Sequence, residues 1–169
     1  MNDPFETLGL ARTFEIDLRA VEQRFRDLSR AVHPDRFADK SPAERRMAAE
    51  QTVALNDAFR LIRDSMNRVL ALLAAAGKPI HETARAEPSL LMEIMELREA
   101  IDDARNDGRS TEALVTRVGA RIADEEASLK DAFDGKRFPP ERDMLERAYE
   151  AGVRLKYLYR LRDELDALD

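Results

Sequence analysis

Residues 18–46 read LRAVEQRFRDLSRAVHPDRFADKSPAERR, and the order of patterns in this stretch decides the fold. Leu18, Val21, Phe25, Leu28 and Val32 recur at steps of three and four, the apolar stripe of an amphipathic helix. Pro34 disfavours helical backbone at the residue before it, so this helix is predicted to stop near His33. Ser41-Pro42 opens another helix. Glu44 stands at capping-box spacing from Ser41, and Pro42 fills the first helical position. His33-Pro34-Asp35 is therefore expected on the loop of a helical hairpin, off any packed face. Read alone, the tripeptide also fits a proline that merely ends a helix beside an exposed histidine and a turn-capping aspartate.

The flanking sequence narrows the reading. Phe5-Glu6-Thr7-Leu8-Gly9-Leu10 precedes the hairpin, and Leu55-Asn56-Asp57-Ala58-Phe59-Arg60-Leu61-Ile62-Arg63-Asp64 closes it. Together with His33-Pro34-Asp35, these segments resemble the J-domain of DnaJ-like co-chaperones over residues 3–64, in order and in spacing. The resemblance implies docking on a DnaK-class ATPase through the loop. Many J-domains carry proline after the aspartate that ends their third helix. Ser65 stands there, so a smoother run into the next helix is expected.

With 169 residues the chain holds one or two small domains. Charged residues make up 37% and aromatics 6%, a balance that fits a mostly helical protein with much surface. No apolar run is long enough to span a membrane, and Met1-Asn2-Asp3-Pro4 does not resemble the start of a signal peptide, so a cytoplasmic location is expected. The lack of cysteine excludes disulfides, thiol catalysis and cysteine-ligated metal on this chain. His33 and His81 are the only histidines and make a poor metal site. Neither metal nor cofactor is expected.

The net charge of −6 is unevenly spread. Residues 19–46 carry eight basic groups against five acidic ones, whereas residues 87–107 carry seven acids against Arg98 and Arg105. An acidic total argues against nucleic-acid binding. The basic segment suits an acidic protein surface, with Arg19, Arg26 and Arg30 on one helical face and Arg36 in the loop.

The pattern predicts an all-α chain: a J-domain over 1–76, a linker over 77–87 and a three-helix bundle over 88–169. A fourth helix is predicted over residues 67–76, stopped by Gly77 with Pro79 beyond. The bundle helices are predicted to start near Pro88, after Ser110 as cap, and at Pro139-Pro140-Glu141. Gly108 and Gly135 close the first two. Short connections make the neighbours antiparallel. The second helix has a core stripe of Leu114, Val118, Ile122, Leu129 and Phe133. The third has Met144, Ala148, Ala151, Leu155, Leu158, Leu161 and Leu165, with Tyr149, Val153 and Tyr157 off the stripe.

On the first bundle helix, at about 100° per residue, Leu90, Ile94, Leu97 and Ile101 form the core face. Met92, Met95, Glu96 and Glu99 lie on the opposite side, with Leu91 at the edge. Packing of both methionines against another helix is the simpler reading, but the interleaved carboxylates oppose burial. An adaptable apolar stripe with acidic residues suits partner recognition.

Leu90-Leu91-Met92-Glu93-Ile94-Met95-Glu96-Leu97-Arg98-Glu99 resembles a signature of the HscB (Jac-type) co-chaperones. His33-Pro34-Asp35-Arg36-Phe37 resembles their form of the loop. The resemblance implies delivery of the iron–sulfur scaffold IscU to the chaperone HscA and stimulation of its ATPase. It assigns scaffold binding to Leu91, Met92, Met95, Glu96 and Glu99, with Tyr157 on the last helix. The alternative is a general J-domain co-chaperone with a different client. Catalysis by His33 and Asp35 is disfavoured, since general acid–base chemistry needs a water-limited site.

Overall fold

The computed structural model describes residues 3–135 and 137–167. Among these the regular structure is entirely helical. In order come α1 (Pro4–Leu8), α2 (Leu18–Ala31), a 3-10 turn (Pro34–Phe37), α3 (Pro42–Arg63), α4 (Ser65–Ala75), α5 (Pro88–Asp107), α6 (Glu112–Phe133) and α7 (Arg142–Asp166).

The caps explain the boundaries of the N-terminal helices. Asp17 starts α2 by accepting the Arg19 and Ala20 N–H groups at 2.9 and 3.2 Å. The predicted capping box forms at α3. Glu44 N–H donates to Ser41 Oγ at 3.3 Å, and Glu44 Oε2 accepts Ser41 N–H at 2.9 Å. The hydrogen bond from the Ser41 hydroxyl holds the Glu44 carboxyl below the usual carboxylate range. α2 packs on α3 as a hairpin, with Phe25 stacked on Phe59 at 4.4 Å between centroids. Leu18, the first member of the predicted stripe, is instead exposed at the helix start. α1 closes over α3 and buries Phe5 and Leu8 completely.

The passage from α3 to α4 is a break, contrary to the smoother run expected at Ser65. Asp64 adopts extended backbone (ψ 128°), and its carboxylate accepts the Asn67 N–H at 2.7 Å. The carboxylate restarts a helix after the break by satisfying a donor that has no intrahelical partner. Ser110 is not at the cap position either. α6 begins at Glu112 with Thr111 as its flanking residue, although Ser110 Oγ still accepts the Glu112 N–H at 3.3 Å. Gly108 ends α5 in the left-handed region (φ 63°), which glycine adopts without steric cost.

α6 and α5 both pack on α7, and α4 lies along the other side of α7. The crossing with α4 is close at Gly152, where a Cβ would meet Leu73 Cδ1 and Ile80 Cδ1 at 2.9 Å and Val69 Cγ1 at 3.1 Å. Val69, Leu72 and Leu73 of α4 join Leu155, Leu158, Leu161 and Leu165 of α7 in one continuous core. Each such buried leucine contributes roughly 2 kcal/mol of hydrophobic transfer. The α7 stripe is buried as predicted except for half-buried Met144, while Val153, read as off the stripe, is buried too. Tyr159 is buried and donates its hydroxyl proton to Glu126 at 2.7 Å. Burial pushes its phenol above the ordinary value, and the bond to Glu126 adds to the shift.

Candidate functional site

Two separate surfaces carry the residues singled out from sequence. The first is the turn between α2 and α3. His33 caps the 3-10 turn, and its Nδ1 accepts the Asp35 N–H at 3.3 Å. The Asp35 carboxylate lies 3.5 Å from the same ring yet has 89% of its side chain exposed. Pro34 is exposed between them. Arg36 Nη1 donates to the Arg30 carbonyl at 3.5 Å, which ties the turn to the end of α2.

Arg19, Arg26 and Arg30 are all exposed along α2. Arg26 approaches Glu22 at 4.0 Å, and Arg30 approaches Asp27 at 3.5 Å. Exposed pairs of this kind are worth about 0–1 kcal/mol, so they exchange readily for contacts with a partner. The arrangement is an open cationic face ending in a solvent-exposed imidazole and carboxylate. Its charge has the sign that an acidic surface would complement.

The second surface is on α5. Leu90, Ile94, Leu97 and Ile101 are buried against the bundle, whereas Met92 and Met95 are 64% and 62% exposed. Glu96 and Glu99 are exposed beside them, and Leu91 is half-buried at the edge. No ion pair among the described residues engages Glu96 or Glu99. The neighbouring charges are committed elsewhere. Glu93 accepts two hydrogen bonds from Arg121 of α6 at 3.2 and 3.3 Å, and Arg98 donates two to Glu164 of α7 at 3.1 and 2.7 Å.

The level of Tyr157 along the bundle follows from helix register, a relationship beyond the reach of the sequence. Arg98 pairs with Glu164, and Glu87 pairs with Arg154 at 3.7 Å, offsets of 66 and 67 residues. α5 and α7 therefore run parallel, rising together at about 1.5 Å per residue. That register sets Tyr157 level with Leu91. Its ring is half-buried and packed on the core.

Sequence reasoning missed the polar layer behind α5. Glu125 of α6 is 6% exposed and lies 2.9 Å from Arg154 Nε and 3.9 Å from Arg121 Nη1. Arg121 also holds Glu93, so the layer fixes α5 from behind and leaves the methionines outward. An acidic residue four positions from an arginine was the available signal, but nothing local distinguishes a buried carboxylate from an exposed one. Among the described residues no helix is long and apolar enough to cross a membrane, and no three potential metal-ligating side chains converge.

Comparison with known proteins places the fold in a family. Residues 86–166 match the family described as the HSCB C-terminal oligomerisation domain. The chain is 40% identical over 136 residues to a "Co-chaperone protein HscB homolog" of Bordetella avium, spanning 79% of this chain and 80% of that protein. It is 34% identical to the "Iron-sulfur cluster co-chaperone protein HscB homolog" of Arabidopsis thaliana, spanning 80% of this chain and 54% of that protein. The structure of "Chaperone HscB from Vibrio cholerae" superposes with a TM-score of 0.79 at 29% identity, covering 99% of this chain and 97% of that one. With an all-helical fold, an exposed His-Pro-Asp turn and this degree of similarity along its length, the chain belongs to the HscB co-chaperone family.

Proposed function

We propose that the chain binds the iron–sulfur scaffold IscU, delivers it to the DnaK-class chaperone HscA and stimulates that chaperone's ATPase. The observation that carries the reading is the outward pair Met92 and Met95, flanked by exposed Glu96 and Glu99 on the side of α5 opposite its buried stripe. Residues 1–76 serve the chaperone, residues 88–169 serve the scaffold, and 77–87 join them. Arg19, Arg26 and Arg30 steer α2 onto an acidic surface, which raises the association rate more than the final affinity. His33, Pro34, Asp35 and Arg36 then contact the chaperone. They promote hydrolysis by binding its hydrolysis-competent state better than the alternative state. Leu91, Met92, Met95, Glu96, Glu99 and Tyr157 hold the scaffold. Tethering raises its effective concentration at the chaperone's substrate site.

The test is calorimetric titration of IscU into the intact protein and into the variant carrying Met92→Ala with Glu96→Ala. Loss of interface anchors costs about 1–2 kcal/mol each, so affinity should fall tenfold or more. Stimulation of HscA by the co-chaperone alone should persist. Unchanged scaffold affinity would remove α5 from the reading and favour a J-domain protein with another client.

A further inference from the structure

Asp134 lies just beyond the end of α6, yet its partners are about 120 residues away at the N-terminus. Its Oδ1 accepts the Thr13 hydroxyl, the Phe14 N–H at 2.6 Å and the Glu15 N–H at 3.1 Å. One carboxylate thus satisfies consecutive donors of a segment with no helical bonds of its own. Lys130, one turn earlier on α6, pairs with Glu15 at 3.5 Å.

The same segment is gripped from the other side by Arg68 of α4, which is 8% exposed. Its Nε donates to the Phe14 carbonyl at 2.9 Å, its Nη1 donates to the Ile62 carbonyl at 2.6 Å, and its guanidinium lies 5.4 Å from the Phe14 ring centroid. Phe14 itself is 3% exposed. Three residues on, Asp17 caps α2 at Arg19. The short segment 13–17 that leads into the basic helix is therefore tied both to the end of α6 and to α4.

We infer that Asp134 is a positioning residue that fixes the entry of α2 relative to the bundle, so that the His33 turn and the Met92 face are presented at one set angle. The inference rests on the two-ended reading above. On that reading, Asp134 governs the coupling of the two partners and leaves each separate affinity alone. All three donors reach Oδ1, and only the Glu15 N–H is shared with Oδ2, at 3.3 Å, so an asparagine oxygen can replace the main acceptor whereas alanine cannot.

Because the chain has no cysteine, Lys40→Cys with Arg105→Cys gives a clean spin-label pair for double electron–electron resonance in the full-length protein. The wild-type background should give one narrow distance distribution, Asp134→Ala a broad or two-peaked one, and Asp134→Asn the narrow one again. Without labels, Asp134→Ala should keep scaffold affinity and scaffold-free stimulation of the chaperone within twofold. The extra stimulation seen with both partners should fall at least fivefold and return with Asp134→Asn. Thr13→Val should show a weaker form of the same pattern and serves if Asp134→Ala does not fold. A narrow distance distribution in a folded Asp134→Ala, or full joint stimulation despite a broad one, overturns the inference. If the wild-type protein binds neither partner, the two-ended reading fails instead, and the distance measurement alone judges whether Asp134 sets the angle.

Discussion

The Nδ1 of His33 accepts the backbone N–H of Asp35 at 3.3 Å, so the ring shapes its own turn while 57% of the side chain stays exposed. The two roles separate by substitution. In His33→Asn the side-chain amide oxygen would stand near the position of Nδ1 and cap the turn equally well. The shorter side chain offers nothing at Nε2. His33→Asn should therefore leave the fold and scaffold affinity unchanged while chaperone ATPase stimulation falls to below about a tenth. Steady-state phosphate release with and without the variant checks this. Stimulation near wild type would show that turn shape, and not the imidazole, is what the chaperone reads.

Glu44 makes the start of α3 sensitive to acid. Its folded-state pKa is lowered from 4.5, first by the bond from the Ser41 hydroxyl and then by the Ser41 N–H. A depressed carboxyl contributes stability that is present above the unfolded value and lost as pH falls through the folded one. The protection factors of the first hydrogen-bonded amides of α3, such as that of Arg45, taken against the intrinsic exchange rate at each pH, should therefore fall once pH drops below about 4.5. Glu44→Gln retains a side-chain acceptor and should remove that pH dependence. Equal acid sensitivity in the variant would place its origin elsewhere.

Gly152 sets how closely α4 approaches α7. An added methyl meets the movable Cδ1 ends of Leu73 and Ile80 at 2.9 Å and the stiffer Cγ1 of Val69 at 3.1 Å, a crowding offset by up to about 1 kcal/mol of helix propensity from alanine. Gly152→Ala should therefore stay within about 1 kcal/mol of wild type by urea unfolding. Gly152→Leu overpacks the same seam and should cost about 3 kcal/mol. If leucine were tolerated as well as alanine, the α4–α7 contact would be looser than its spacing indicates.

The parts of this protein legible in its sequence share one property: their physics acts within a turn or two of helix. The Ser41–Glu44 box and the Gly108 stop each depend on residues three to five apart. The same holds for the α5 wheel, where the buried stripe and the exposed methionines follow from 3.6-residue periodicity alone. Where local signals misled, a neighbouring element decided. Val153 was off the leucine stripe of α7, yet it is buried. α7 is covered by α4 on one side and by α5 and α6 on the other, so its apolar arc is wider than a two-helix contact needs.

Sequence alone determined the order of the main helices, the Ser41–Glu44 capping box, the Gly108 stop, the exposed His-Pro-Asp turn and the outward face of α5. It also excluded cysteine chemistry outright. Tertiary structure alone decided three things. It set Tyr157 level with Leu91 through the Arg98–Glu164 register, buried Glu125 between two arginines, and brought Asp134 against Thr13 and Phe14 across about 120 residues. The reason is that hydrogen-bond donors and carboxylates carry no record of distant partners. Their pairing is set when apolar faces pack and fix which helices lie side by side.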